Sequence, residues 1–139
     1  MTYDKILVAL DGSKASYNAL NYAINLARQS HGTITGVFAI PLFSVNVARP
    51  ESKLAKAFAE GGKKILAKAK TKCAQNGIMF YEKILCGNEG FKINHFAQSN
   101  KADLIVMGSR GQSNIGEFIL GSVSHYVAQK SKIPVLIVK

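Results

Sequence analysis

One stretch decides the fold: Ala102-Asp103-Leu104-Ile105-Val106-Met107-Gly108-Ser109-Arg110-Gly111, followed after nine intervening residues by Gly121-Ser122-Val123-Ser124. Its segment Leu104–Met107 is apolar throughout and is flanked by polar and glycine residues, and so short a run indicates a buried strand. A strand that is apolar on both faces is typical of the centre of a parallel sheet. Apolar residues recur at helical spacing after Gly121, so the stretch predicts a strand, a glycine loop and a helix.

The residues around this predicted loop are suited to binding a phosphate. Glycine lets backbone N–H groups approach an anion closely, and a helix start adds unpaired N–H groups with a partial positive charge. Ser122 and Ser124 add hydroxyl groups, and Arg110 adds a fixed positive charge. Ligands of open α/β sheets bind beyond the carboxyl ends of the strands, where this loop lies. A single glycine here is most simply a turn residue, but the combination predicts an anion-binding loop.

The rest of the chain alternates apolar segments of strand length with amphipathic helices. The pattern predicts five strands, at Ile6–Leu10, Thr33–Ile40, about residues 78–84, Leu104–Met107 and Val135–Val138. Such an alternation calls for right-handed crossovers and a parallel sheet that is covered by helices on both faces. We therefore expect one α/β domain over residues 1–139, a three-layer sandwich, with several strand orders left open by chain order alone.

Local signals mark the ends of two predicted helices. Ser13 is a good N-cap for the first helix, and Gly32 occupies the position expected after its C-cap. The second helix is predicted from about Glu51 to Gln75. Gly61 and Gly62 lie in its middle, where each costs about 1 kcal/mol relative to alanine. The sequence offers no reason for this pair.

The glycine spacing also carries a family resemblance. The pattern Gly108-x2-Gly111-x9-Gly121-Ser122 resembles the ATP-binding signature of the universal stress protein family. Tyr3–Ser13 resembles the opening strand and acidic turn of that family, and Ile133–Val138 resembles its last strand, so the resemblance covers nearly the whole chain. It implies a five-stranded parallel sheet in the order 3-2-1-4-5, a Rossmann-like fold of the adenine nucleotide alpha hydrolase-like type. In that order the first and fourth strands are neighbours.

The resemblance implies a site for ATP with one end for the base and one for the phosphates. Ala9 and Asp11 are expected at the adenine and ribose end, Ala39 against the adenine, and Met107 on the base or sugar. The family often has His-Val at the positions of Phe38 and Ala39, so the smaller Ala39 bears on affinity rather than on the mode of binding. The phosphates are expected among Gly108, Arg110, Gly111, Gly121, Ser122, Val123 and Ser124.

Asp11 ends the first strand beside this expected site, and two interpretations of it stay open. Its carboxylate can hold the ribose or a bridging Mg²⁺, or it can form an Asx-type turn with Gly12. Neither G-x-G-x-x-G in the first turn nor a P-loop motif is present. Phosphoryl transfer needs a group that positions the nucleophile, and the sequence offers no clear base. We therefore predict a nucleotide-dependent stress-response or signalling module, with a weak ATPase or phosphotransfer protein as the alternative.

The composition of the sequence limits the expected cellular location of the protein and its expected partners. The N-terminus leads directly into a strand and no apolar run approaches membrane-spanning length, so we expect a cytoplasmic protein without a signal peptide. Cys73 and Cys86 are expected as free thiols, and the three scattered histidines do not indicate a metal site. The net charge of +10 leaves a polyanion-binding domain as a third hypothesis. No nucleic-acid-binding motif accompanies that charge, so nucleic acid is not an expected partner. The resemblance also implies a homodimer through the C-terminal strand.

Overall fold

The computed structural model of the chain describes residues 2–41, 53–110 and 120–139. Within these residues, strands and helices alternate strictly along the chain. The strands are β1 (Lys5–Ala9), β2 (Thr33–Pro41), β3 (Phe80–Gly87), β4 (Leu104–Gly108) and β5 (Val135–Val138). The helices are α1 (Lys14–Ser30), α2 (Lys53–Gln75), α3 (Glu89–Ser99) and α4 (Ser122–Lys130). The predicted beginning of the second helix, near residue 51, lies outside the described residues.

All five strands form one parallel sheet, and its order is β3-β2-β1-β4-β5. The α/β fold and the strand order 3-2-1-4-5 are thereby confirmed. β1 pairs with β2 on one side and with β4 on the other, with Ile6 opposite both Ile34 and Leu104. Because chain order reverses at β1, the crevice beyond the carboxyl ends of β1 and β4 is the switch point where open sheets bind ligands.

Two apolar clusters cover the two faces of the sheet. On one face, β1 residues Ile6 and Val8 pack with the inner sides of α1 and α2, including Leu20 and Leu66. On the other face, neighbouring sheet residues pack with α3 and α4. Val8, Ile105 and Val106 are fully buried, as the uninterrupted apolar character of β1 and β4 predicts for central parallel strands. The helices therefore form the outer layers of a three-layer sandwich.

The ends of α1 agree only in part with the sequence signals. The hydroxyl Oγ of Ser13 accepts from the amide of Ser16 at 3.1 Å, so the predicted N-cap is confirmed. At the other end the left-handed residue is His31, with φ 56°, and not Gly32. Gly32 is needed for a different reason, since a Cβ there would collide with the carbonyl oxygen of Tyr3 and lie 3.0 Å from that of Asp4. Gly32 therefore directly follows the C-cap His31, as predicted, but it is needed there for close packing and not for a left-handed conformation.

The glycine pair in α2 has two distinct environments. A Cβ on Gly62 would strike the ring of Phe38 on β2, at 2.8 Å from Cε1, whereas a Cβ on Gly61 would meet nothing within 4 Å. Gly62 therefore lets α2 lie directly on an aromatic ring of the sheet. That contact explains one member of the pair, and nothing in the structure explains Gly61.

Candidate functional site

A cleft of about 500 Å³ lies at the switch point. Its walls come from the carboxyl ends of β1, β2 and β4, from the first turns of α3 and α4, and from α2. A volume in this range is typical of pockets for small molecules and cofactors. The sheet order places the cleft here, because it brings the end of β1 next to the end of β4.

One part of the cleft wall is apolar. Val37 and Ala39 contribute from β2, Met107 from β4, Ile93 from α3 and Phe58 from α2. Val37, Ile93 and Met107 are themselves buried, so the wall is held by the core beneath it. A flat apolar ligand group can displace water from this surface.

The start of α4 provides polar groups on another part of the cleft wall. Gly121 is its N-cap, with φ −61° and ψ 160°, and no side chain in the described part of the chain caps this helix. Within the described residues, the amides of Ser122, Val123 and Ser124 donate no hydrogen bond. Free amides at a helix N-terminus form an anion-binding site, since the helix dipole adds a partial positive charge. All four residues line the cleft.

Hydrogen bonds fix the start of α4 against the end of β4. The amide of Gly121 donates to the carbonyl of Ser109 at 2.8 Å. The buried hydroxyl of Ser124 lies 2.8 Å from the same carbonyl and 3.0 Å from that of Gly121, and it donates its proton to this pair. The Ser124 hydroxyl thus fixes the loop, and the donor that Ser124 has left for a phosphate is its amide.

Gly108 has a packing role as well as a place in the cleft wall. A Cβ on this residue would lie 2.8 Å from Cβ of Ala15 and 3.1 Å from the amide nitrogen of Ser16. The first turn of α1 therefore packs against the end of β4 at a distance that only glycine permits. The sequence linked this glycine to a phosphate, but its missing side chain makes room for α1.

Two carboxylates lie in the cleft, and only one of them was predicted. Oδ1 of Asp11 accepts from the amide of Ser13 at 2.9 Å, which is the Asx-type turn of the second interpretation. Glu89, in the first turn of α3, is half-buried. Burial, and then the negative charge of Asp11, raise the pKa of Glu89. The same two causes raise the pKa of Tyr17. The cleft thus combines free amides with an acidic edge.

Most of the predicted site residues lie together in this structure. The cleft is lined by nine of them: Ala9, Asp11, Ala39, Met107, Gly108, Gly121, Ser122, Val123 and Ser124. Arg110 is not among the lining residues, and Gly111 lies outside the described residues. What each of these residues binds stays a prediction.

Sequence reasoning missed Phe58 and Glu89. Phe58 lies on the apolar side of α2, and its spacing from Leu66 marks that side without saying what it covers. Glu89 directly follows the N-cap Asn88, whose side chain accepts from the amide of Phe91 at 3.0 Å. A helix that begins at the carboxyl edge of the sheet places its first residue at the ligand crevice, which is the signal that could have identified Glu89.

Two further properties of the described residues concern metal binding and membrane spanning. Nowhere in residues 2–41, 53–110 and 120–139 do three metal-ligating side chains of His, Cys, Asp or Glu lie together. None of the helices in these ranges is both long and apolar enough to cross a membrane.

The fold and cleft define a class of protein: an open parallel α/β domain with a small-molecule cleft at its switch point. The sequence profile of the universal stress protein family matches residues 2–139. Universal stress protein YxiE of Bacillus subtilis is 35% identical over 153 aligned residues, covering 99% of each chain. The chain belongs to the universal stress protein family.

Solved structures agree with this assignment. Protein MJ0577 of Methanocaldococcus jannaschii has a TM-score of 0.90 and 28% identity, covering 100% of this chain and 97% of its own. A universal stress protein in complex with cAMP has a TM-score of 0.78 at 28% identity, covering 100% and 99%. The Archaeoglobus fulgidus protein in complex with dAMP has a TM-score of 0.78 at 25% identity, covering all of both chains. Two proteins of this fold and family have thus been solved in complex with adenine nucleotides.

Proposed function

We propose that the chain binds an adenine nucleotide in the cleft. We further propose that this nucleotide is ATP and that it binds together with Mg²⁺. The observation that carries the proposal is the set of amides at the start of α4 that donate no hydrogen bond within the described residues, in the same cleft as an apolar wall. An adenine nucleotide has this division of chemistry, since its base is flat and largely apolar on its faces and its phosphates are anionic. Relatives in complex with cAMP and dAMP support the adenine nucleotide class.

The proposed position of the base is the apolar wall, and that of the phosphates is the start of α4. Ala39 would lie against the adenine and Met107 on the base or the sugar, with Ala9 and Asp11 lining the adenine and ribose end. Gly108 and Gly121 would let the chain approach the phosphates, and Arg110 and Gly111 would complete the loop around them. Ser122, Val123 and Ser124 would donate their amides, which have no other hydrogen bond within the described residues.

Mg²⁺ would enter together with the phosphates. It usually keeps several waters and is held by one or two carboxylates plus phosphate oxygens. The cleft supplies the carboxylates of Asp11 and Glu89, and the described residues hold no group of three ligands that could bind the ion alone. We therefore expect the cation to bind with ATP and to bind weakly without it, with Asp11 as its protein ligand.

The biological role that we propose is a nucleotide-dependent module of a stress response or signalling pathway in the cytoplasm. Membership of the universal stress protein family supports the first part of this role. A bound nucleotide can act as a signal only if it favours one conformation or assembly over another. We also propose that the chain forms a homodimer through β5, the edge strand of the sheet.

Equilibrium dialysis of labelled ATP with Mg²⁺ tests the nucleotide site directly. Ser122→Asp adds a negative charge at the start of α4, which favours the helix but repels phosphates. We expect this variant to bind ATP at least about tenfold more weakly, while adenosine binding changes little. Ser122→Asn, of similar shape but neutral, is the matched control and should retain ATP binding. No binding by the natural chain at millimolar ATP would reject the proposal.

A further inference from the structure

The positive charge of the chain is concentrated on one face of the molecule. α1 and α2, which cover the same side of the sheet, carry nine of the 18 lysines and arginines. Against these nine charges the two helices carry one acidic residue, Glu60, which pairs with Lys63 at 3.4 Å. On the opposite side, α3 and α4 carry only Lys92, Lys130 and Glu89. The net charge of +10 is thus not evenly distributed.

Three of these lysines converge on a groove between the two helices. The groove has a volume of about 750 Å³ and lies on the α1 and α2 side of the β1–α1 turn. Lys14 reaches it from the start of α1, and Lys68 and Lys72 reach it from successive turns of α2. Nζ of Lys68 lies 4.4 Å from the centre of the Tyr17 ring, which holds this ammonium group at the groove. Among the residues that the structure describes, no carboxylate lines the groove.

The remaining lining of the groove favours phosphate over protein as its ligand. Asn18, Thr71 and Gln75 add polar side chains, and Tyr17 is the one large aromatic residue. Lysine, asparagine, threonine, glutamine and tyrosine are the residues that contact the nucleic-acid backbone. Protein interfaces instead have an apolar core from which lysine is depleted. The chemistry of the groove therefore matches a row of phosphates rather than an acidic protein surface.

The spacing of the lysines along α2 extends this match beyond the groove. Lys64, Lys68 and Lys72 recur every four residues, so they form a row that winds slowly along the helix, with a rise of about 6 Å between neighbours. All three side chains are exposed, and within the described residues none of them has an ion pair. A rigid row of unpaired charges can follow an extended polyanion without a change in the fold.

We propose that the groove between α1 and α2 binds the phosphate backbone of duplex nucleic acid. This site is separate from the nucleotide cleft, which lies on the other side of the β1–α1 turn, where Asp11 lines the cleft and Gly12 lines the groove. The groove offers lysines and small polar groups without an element that enters a base-pair groove, so binding is independent of sequence. It is driven by the release of counterions, which makes it steeply dependent on salt.

The salt dependence of binding to a fluorescent duplex of mixed sequence tests the proposal by anisotropy. A triple variant with Lys14→Gln, Lys68→Gln and Lys72→Gln removes the three charges of the groove. If each lysine neutralises one phosphate, the slope of log K against log salt becomes shallower by about 2.7. We also expect affinity at about 0.1 M salt to fall by at least tenfold. The matched control has Lys92→Gln, Lys130→Gln and Lys132→Gln, the same loss of charge away from the groove.

The outcomes distinguish binding of duplex in the groove from a general effect of net charge and from binding of other partners. The proposal holds if the groove variant loses slope and affinity and the control loses much less. It is overturned if both variants lose equally, if the natural chain does not bind duplex at low salt, or if polyglutamate binds more tightly than duplex. ATP dialysis on the groove variant tests the two sites separately. This variant should bind ATP like the natural chain, whether or not the groove binds duplex.

Discussion

At the scale of single residues, the position of Glu89 in the cleft has a measurable effect on stability. Its pKa is raised by burial and by the neighbouring charge of Asp11, so the fold disfavours its ionised form. The fold is therefore penalised as pH rises through the unfolded value near 4.5, and the penalty is complete above the raised folded value. Glu89→Gln removes the penalty, so we expect the variant to be more stable than the natural chain at pH 7.

The test is urea unfolding of both proteins at two pH values. The stabilisation by Glu89→Gln should be present at pH 7 and should vanish below about pH 4, where the glutamate is protonated in both states. Glu82→Gln is the control, since Glu82 is exposed on β3 and its substitution should change stability by less than about 0.5 kcal/mol. A Glu89→Gln variant that is less stable at pH 7 would contradict the account of this residue.

The two cysteines should differ sharply in reactivity. Cys73 is fully buried in α2, and burial raises its pKa to about 11, whereas Cys86 is exposed on β3. At pH 8 roughly one Cys73 in a thousand is a thiolate, and it is shielded as well. We expect a disulfide reagent to modify one thiol of the folded chain quickly and the second only after unfolding. Cys86→Ser should abolish the fast phase, and equal rates for both thiols in the folded chain would contradict the prediction.

At the scale of elements, the glycine pair of α2 separates helix propensity from packing. Gly61→Ala adds a methyl group to open space, so we expect it to raise the free energy of unfolding by about 0.5–1 kcal/mol. Gly62→Ala makes the same chemical change against the ring of Phe38, where overpacking should lower stability by about 1–3 kcal/mol. Urea unfolding of the two variants measures both effects. Equal stability of the two would show that α2 does not press on the sheet at this point.

The elements were predictable where the signal was local. The apolar run of β4 and the cap at Ser13 are properties of short segments, and the structure has both. The reason for Gly62 was not predictable, because it depends on Phe38, which the chain places opposite α2 only after folding. Gly108 likewise has a contact with Ala15, more than 90 residues earlier in the chain, that no local pattern reveals. The strand order came from the family resemblance and not from periodicity.

The candidate site shows the same division. A strand end, glycines and a helix start predicted free amides near residues 121–124, because unpaired donors at a helix start follow from the geometry of any helix. Glu89 and Phe58 come from other elements, and only the sheet order brings them to the cleft. The hydrogen bond from the Ser124 hydroxyl to the Ser109 carbonyl also depends on how α4 returns to the end of β4.

At the scale of the whole molecule, the two recesses divide the chemistry of the chain. The cleft joins an acidic edge to free amides, and the groove on the α1 and α2 side is basic. The turn at Asp11 and Gly12 is the wall between them. One short turn therefore lines both recesses, which is why ATP binding and duplex binding need to be measured on the same variants.

β5 forms one edge of the sheet, and this is the edge at which we propose that two copies of the chain meet. The carbonyls of Pro134, just before β5, and of Val138, at its end, accept from the amides of Ile105 and Ser109, at 2.9 and 2.8 Å. Because backbone groups alternate along a strand, the amide and carbonyl of Ile137 point away from β4, toward the open edge. An edge strand with unpaired groups favours pairing with a second copy.

Ile137→Pro tests the proposed dimer at that edge. Proline removes the outward amide of Ile137 and leaves the hydrogen bonds between β4 and β5 in place, because edge strands tolerate proline where the N–H group faces solvent. We expect light scattering after gel filtration to give a dimer for the natural chain and a monomer for this variant. Ile137→Val, which keeps the amide, should remain a dimer. A natural chain that is monomeric at all concentrations would reject the dimer, and a dimeric Ile137→Pro would move its interface away from β5.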